Sequence, residues 1–292
     1  MGEPKLIYYS PLRYPGGKRN FVPFFINIFE KSELNIKTYH EFYAGGAGAA
    51  LELLIRGYVK SVVLNDADYH IYAFWHSILN ETDRFLEKIK NTNVTITEWK
   101  KQKKVYENFK NEDILSVGFS TFFLNRTNRS GILSNAGPIG GINQNGNYKI
   151  DARYNKKNLS ALIQTIAKKS DNIILYNDDA ICLMKRLRLE LQKRSSFLFL
   201  DPPYFEKGED LYLNFYQLEN HIELKSYLEK HLSWNWVLSY DNCPAIAKLY
   251  RSFAKRIFEI NYSLQDKKRE KEIVIFSTAL LASKEHKKIF IK

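Results

Sequence analysis

Residues 197–216 read FLFLDPPYFEKGEDLYLNFY. Four apolar residues lead into Asp201, Pro202, Pro203 and Tyr204. The aspartate supplies carboxylate oxygens, and each proline removes a backbone N–H donor while keeping its carbonyl acceptor. The result is an acceptor-rich patch beside an aromatic face. That combination suits an exocyclic amino group on a flat base. With both amino hydrogens held by acceptors, the nitrogen lone pair leaves ring conjugation and can point at an electrophile. A base lying on Tyr204 gains ~1–3 kcal/mol of stacking.

A second group of residues suits a nucleoside. Ala44, Gly45, Gly46, Ala47 and Gly48 form a turn that lets backbone approach a ligand closely. Asp66 follows about twenty residues on, where a carboxylate accepts bonds from ribose hydroxyls. The pattern is GGAG, not GxGxxG: a third dinucleotide glycine would fall at Ala50 or Leu51. A pyrophosphate is therefore disfavoured, and an adenosyl group without one, as in S-adenosylmethionine, fits better.

These residues need elements to carry them. TYHEFY (38–43), the glycine turn, AALELLIR and SVVLND read as strand, turn, helix, strand, which implies a parallel sheet. FLFL reads as a buried strand, so Asp201 falls at a carboxyl edge, where ligands of open α/β sheets gather. NIILYNDDA, WNWVLSYDN, KRIFEINYSL and KEIVIFSTAL supply further strands. Ahead of them all, PLRYPGGKRN is a Pro/Gly turn ending near Lys18, followed by an amphipathic helix. Tyr69 to Asn111 reads as helical, and 112–124 as another apolar helix. From Asn125 to Lys169 there are eight Lys/Arg and one acid, Asp151, in a Gly- and Asn-rich setting. The expected layout is one α/β domain, residues 1–69 and 159–292, interrupted by a mainly helical basic module at 70–158.

Composition agrees. The chain has 292 residues, 45% of them apolar, and a net charge of +12, which favours a polyanionic partner. Cys182 and Cys243 make no disulfide framework or metal pair, and a reducing cytosol is the expected compartment. The six histidines show no HExxH-like spacing, so no metal is expected. The N-terminus lacks a signal peptide's apolar run, Leu6 replaces the Ser or Thr of a myristoylation pattern, and no stretch approaches a membrane span.

PLRYPGGK, EFYAGGAG, LND, FFLNRTNRSG, YNDDA, FLFLDPPY, WVLSYDN and KEIVIFS, in this order, resemble the N6-adenine DNA methyltransferases of the Dam type. In that group the cofactor motif precedes the recognition insert and DPPY comes last. The resemblance implies a Rossmann-like S-adenosylmethionine-dependent fold. It places Tyr14, Gly17 and Lys18 in the N-terminal cofactor segment, and Glu41, Tyr43, Ala44, Gly45 and Gly46 on the methionine side. Asp66 becomes the ribose acid, and Asp179 or its neighbour Asp178 meets the cofactor adenine. Asp201, Pro202, Pro203 and Tyr204 become the catalytic motif, with Asp201 also beside the cofactor. Tyr14 stands where some relatives have Trp, and AGGAG replaces VGAG; neither change removes a required chemical group.

The implied target is N6 of adenine in double-stranded DNA. A paired base must be flipped to reach the donor, at a cost of a few kcal/mol. Asn125 to Asn158 is the candidate DNA grip, a hairpin or loop on the helical module. Its candidates are Arg126, Arg129, Lys149 and Arg153 for phosphate or guanine, and Asn128, Asn143 and Asn145 for adenine edges. Lys100, Lys101, Lys103 and Lys104 suit a phosphate contact and a solvated helix face equally. An RNA or protein-amide methyltransferase and a non-catalytic DNA-binding relative are the alternatives. The recognition sequence and the setting (restriction system, phage, defence cluster or stand-alone regulator) are not encoded in any motif.

Overall fold

Seven strands form a single sheet in the order β3-β2-β1-β4-β5-β7-β6. In this computed structural model the described residues are 8–13, 18–31, 34–205, 216–263 and 267–281, with backbone only for 31, 259–263, 267–270 and 281. Tyr14 and Gly17 fall outside them. The strands are β1 (Thr38–Glu41), β2 (Ser61–Asn65), β3 (Ile173–Tyr176), β4 (Ser196–Leu200), β5 (Trp236–Asp241), β6 (Ala254–Ser263) and β7 (Lys267–Phe276). The first five run parallel; β7 is antiparallel to both β5 and β6. The expected α/β, Rossmann-like sheet is present.

Every residue of β4 and β5 is buried, as continuous apolar runs in a two-sided sheet should be. Alternate side chains feed two cores. Phe197 and Phe199 join Tyr39, Val62, Leu64 and the helix α1 (Val22–Lys31) on one face. Leu198 and Leu200 join Val63, Trp236, Leu238 and the helices 218–229 and 244–249 on the other. The helix α2 (Gly48–Ile55) links β1 to β2.

The 70–158 segment lies within the crossover from β2 to β3. It folds as α3 (Tyr69–Asn80), α4 (Thr82–Asn91), α5 (Ile96–Glu107) and α6 (Ile114–Thr127), followed by turns and then α7 (Lys156–Ala167). Asp68, Thr95, Asp113 and Asn155 cap four of these helices through side-chain oxygens, which is why each starts where it does. Phe74, Trp75, Phe85, Phe119 and Phe122 belong to the same continuous core as Tyr39 and Phe197. These helices thus share one apolar core with a face of the sheet. Residues 132–155 form a loop of turns with one isolated bridge, Asn128 to Pro138, where a hairpin was an option. No helix among the described residues is long and apolar enough to cross a membrane.

Candidate active site

Four neighbouring strands end in carboxylates. Across the carboxyl edge, in the order β3, β2, β1, β4, lie Asp178 and Asp179, Asp66, Glu41, and Asp201. Parallel pairing brings these ends to one side, and the register sets Glu41 opposite Phe199 and Asn65 opposite Tyr176. Residues spaced over 160 positions in sequence become one acidic row.

The glycine turn sits on this row, held at both ends. The Gly45 N–H donates to Asp66 Oδ2 at 2.8 Å, and the Gly45 carbonyl accepts from the buried Trp75 indole at 2.9 Å. Gly45 has φ +45° and Ala47, the N-cap of α2, has φ +46°. A non-glycine residue in the left-handed region is the kind of strain that functional sites carry. Glu41 Oε2 accepts from the Ala50 N–H at 3.1 Å in the first turn of α2. Burial pushes Glu41 up to about 8, with Asp201 and Asp66 adding to the rise and the Ala50 N–H and Lys18 opposing it. Burial likewise pushes Asp66 up to about 7, aided by Asp68. A row of carboxylates reluctant to ionise together is suited to a cation, and the sulfonium of S-adenosylmethionine is one. The residues therefore fit that donor.

Asp178 and Asp179 separate in role. The Asp178 carboxylate pairs with Arg186 at 3.0 Å, and its backbone is bracketed by the Asn65 amide. Asp179 Oδ1 caps α8 (Ala180–Arg186), and its charge acts on the Tyr43 and Tyr216 hydroxyls. Those two tyrosine hydroxyls meet at 2.6 Å.

Asp201 is gripped on both oxygens. Ser239, buried on β5, donates to Oδ1 at 2.7 Å, and Lys18 Nζ lies 3.0 Å from Oδ2. Lys18 is also 3.2 Å from Glu272, 2.6 Å from the Tyr204 hydroxyl and 4.9 Å from the centre of its ring. The Tyr204 hydroxyl donates to Glu272. Burial raises Asp201 to about 6; Lys18 and the Ser239 hydroxyl hold it down, and Glu272 pushes it up. Downstream, Asp241 accepts from the Phe205 N–H at 3.0 Å, fixing the exit of the DPPY segment.

Two features differ from the sequence reading. Tyr204 is only 7% exposed and its hydroxyl is a hub of the ion network, whereas the ring alone was expected to matter. Glu272 and Ser239 were given no role. Glu272 sits in a run of alternating charges, KKREKE, that reads as a solvated edge strand. The antiparallel register sets it opposite Asp241, at the same sheet edge as Asp201.

In the 70–158 segment, Arg126, Arg129, Asn143, Asn145, Lys149 and Arg153 all keep exposed or partly exposed surface. Asn128 does not, and this corrects its assignment to DNA. It is 1% exposed, its oxygen accepts from the Trp99 indole at 2.7 Å, and its amide donates to the Ile132 carbonyl at 2.8 Å. A side chain so committed is a structural tie. Gln144 ties the loop, bonding the Ile139 and Gly141 carbonyls and the Ile150 N–H. Lys149 bonds the Gln144 carbonyl, and Tyr148 projects at 67% exposure.

A family model described as D12 class N6 adenine-specific DNA methyltransferase matches residues 14–265. Among curated relatives, the Type II methyltransferase M.MjaIII of Methanocaldococcus jannaschii is 26% identical over 205 residues. That alignment covers 66% of this chain and 68% of the relative.

Proposed function

The chain belongs to the D12 class N6 adenine-specific DNA methyltransferase family, so it methylates N6 of adenine in DNA, and we propose that it does so as a Dam-type enzyme acting on a flipped base in duplex DNA. The family implies S-adenosylmethionine as donor. The acidic row across four adjacent strand ends carries this reading.

When bound, the donor supplies a methyl group already activated by its sulfonium, so the chain has to bind, orient and accept. Asp66 would hold the ribose with the lone pairs left over from Gly45 and Asp68. Lys18, Glu41, Tyr43, Ala44, Gly45 and Gly46 would line the methionine side, with Tyr14 and Gly17 in the segment that leads into Lys18. Asp179 would take the cofactor adenine, because its charge acts on Tyr43, just before the turn, while Asp178 is paired with Arg186.

Asp201 and the Pro202 carbonyl would accept the two N6 hydrogens, turning the lone pair toward the methyl carbon. As N6 takes up the methyl group that the bound donor would supply, Asp201 and Pro202 would keep the amino group in place, and one N6 proton would leave to solvent. Lys18 keeps Asp201 an acceptor: an ion-paired carboxylate is a poor general base but a fixed dipole for the developing positive charge on N6. Pro203 and Tyr204 would close the base pocket. Residues 70–158 would be the recognition module, with Arg126, Arg129, Asn143, Asn145, Lys149 and Arg153 facing the DNA.

The test is N6-methyladenine measured by mass spectrometry in unmethylated duplex DNA after incubation with S-adenosylmethionine. Asp201→Ala should bind donor and DNA yet lose about a hundredfold or more in rate. Near-normal turnover in that variant would remove Asp201 from the catalytic role. We also propose the setting carried by the Methanocaldococcus relative's name, a Type II methyltransferase. Methylation confined to one short motif in a host expressing the chain supports it; methylation scattered without a motif overturns it.

A further inference from the structure

We propose that Arg13, Arg126 and Arg153 form a phosphodiester clamp that grips the DNA backbone close to the target adenine, joining the N-terminal segment to the insert. The inference rests on the DNA-binding reading of residues 70–158. It adds Arg13, which lies outside the matched family segment and has no role above.

The three side chains are brought together by construction. The Asn125 side chain, at the end of α6, clamps the Arg13 backbone from both sides: its oxygen accepts from the Arg13 N–H at 2.7 Å and its amide donates to the Arg13 carbonyl at 2.9 Å. The same amide bonds the Gly131 carbonyl. Gly131, at φ +77°, leaves no room for a side chain, because a Cβ there would lie 2.4 Å from the Arg13 carbonyl oxygen. One Arg13 Nη donates to the Asn128 carbonyl at 3.0 Å, and Arg126 Nε donates to the Arg153 carbonyl at 2.7 Å. Each of these two guanidiniums spends one donor on backbone and keeps its others.

Among the described residues neither Arg13, Arg126 nor Arg153 makes an ion pair. Burial and Arg153 lower Arg13, while burial, Arg13 and Arg153 lower Arg126 to about 10; both stay cationic at neutral pH. Beside Arg126 the buried Tyr154 hydroxyl has no hydrogen-bond partner among the described residues. Like charges held together in partly desolvated positions await an opposite charge. A guanine edge is neutral and would leave the repulsion in place; a phosphodiester would remove it. Arg13 is five residues from Lys18, at most about 18 Å of chain, so the gripped phosphate lies within a few nucleotides of the target.

The test compares wild type with R13Q, R126Q and R13Q/R126Q as full chains with S-adenosylmethionine present. Duplex affinity is measured against salt, and inorganic phosphate is titrated in thermal melts without DNA. The double variant should flatten the log–log salt slope by roughly one unit and keep the wild-type methylation motif. R13K should retain most of the slope. Phosphate should raise the Tm of wild type and leave that of the double variant unmoved. An unchanged slope, or a loss of affinity that depends on target sequence, overturns the clamp. A wild type that binds no DNA fails the reading of the insert instead, and the phosphate melts still judge the anion site. Unchanged donor affinity by calorimetry certifies that the variants are folded.

Discussion

Two cationic centres lie within a short reach of chain, and they are built in opposite ways. Lys18 is saturated by its own protein: Asp201, Glu272 and the Tyr204 hydroxyl all lie within 3.2 Å. Arg13, Arg126 and Arg153 are held by backbone carbonyls and one asparagine, and none of them makes an ion pair among the described residues. A charge balanced internally is fixed before any ligand arrives, which is what a group orienting a reacting nitrogen requires. A charge left unbalanced is at its most stable when an anion arrives, which is what a grip on DNA requires. The first centre should therefore respond sharply to loss of one member, and the second to salt and anions.

After Asp201→Ala, the largest effect expected at the Lys18 centre comes from Tyr204→Phe. This change keeps the ring and deletes one hydroxyl, leaving Lys18 and Glu272 each short of a charge-assisted bond. Such bonds contribute about 1.5–3 kcal/mol, so unfolding measurements should show a loss of that order. The methylation rate should fall by about tenfold or more as Lys18 shifts against Asp201. Wild-type stability and rate in Tyr204→Phe, with damage appearing only in Tyr204→Ala, would return the residue to a base platform alone.

Tyr204 also marks the limit of what the sequence discloses. The strand-end carboxylates were legible because parallel β-strands announce themselves as apolar runs and their first acidic residue falls at the edge: Asp66 after SVVLN, Asp201 after FLFL. The glycine turn was legible because few residues other than glycine tolerate its backbone. Glu272 was not, because its partner Lys18 is 254 residues away and only the antiparallel return of β7 brings them together. Asn128 misled in the other direction. Asparagine in a basic loop suggests a base edge, yet this one is buried and bonds the Trp99 indole and the Ile132 carbonyl. Arg13 stood at the margin of a recognisable motif, and its pairing with Arg126 needs the fold. Polar residues that serve other residues leave no periodic trace.

A finer probe of the same centre is the acid limb of the rate profile. Asp201, raised by burial to about 6, must be ionised to accept the N6 hydrogens, so kcat should fall as pH drops through that value. Lys18 holds the carboxyl down and Glu272 pushes it up. Lys18→Met should therefore move the limb to higher pH, and Glu272→Gln should move it to lower pH. A half-unit movement is about a threefold change in rate on the limb. Movement of both variants in the same direction, at saturating DNA and donor, would show that these residues act through packing and not through charge.

The smallest effect belongs to the acidic row beside the turn, and it separates that row from both cationic centres. Burial raises Glu41 to about 8 and Asp66 to about 7. Without a ligand these groups favour their protonated forms, so their contribution to stability is full at low pH and is lost as pH rises through 7 to 8. Asp66 keeps part of its surface in contact with solvent, so it is the more readily ionised of the two. A bound sulfonium and ribose hydroxyls favour the ionised forms and should expel protons. Donor affinity should rise between about pH 6 and 8, by at most about tenfold per unit for each proton released. Calorimetry in two buffers of different ionisation enthalpy reads that release directly. The demethylated product, a neutral thioether, should show a weaker dependence because it lacks the cation. Equal pH dependence for donor and product would assign the effect to the ribose acid alone, and a flat profile for both would mean that the row is already ionised before the donor binds.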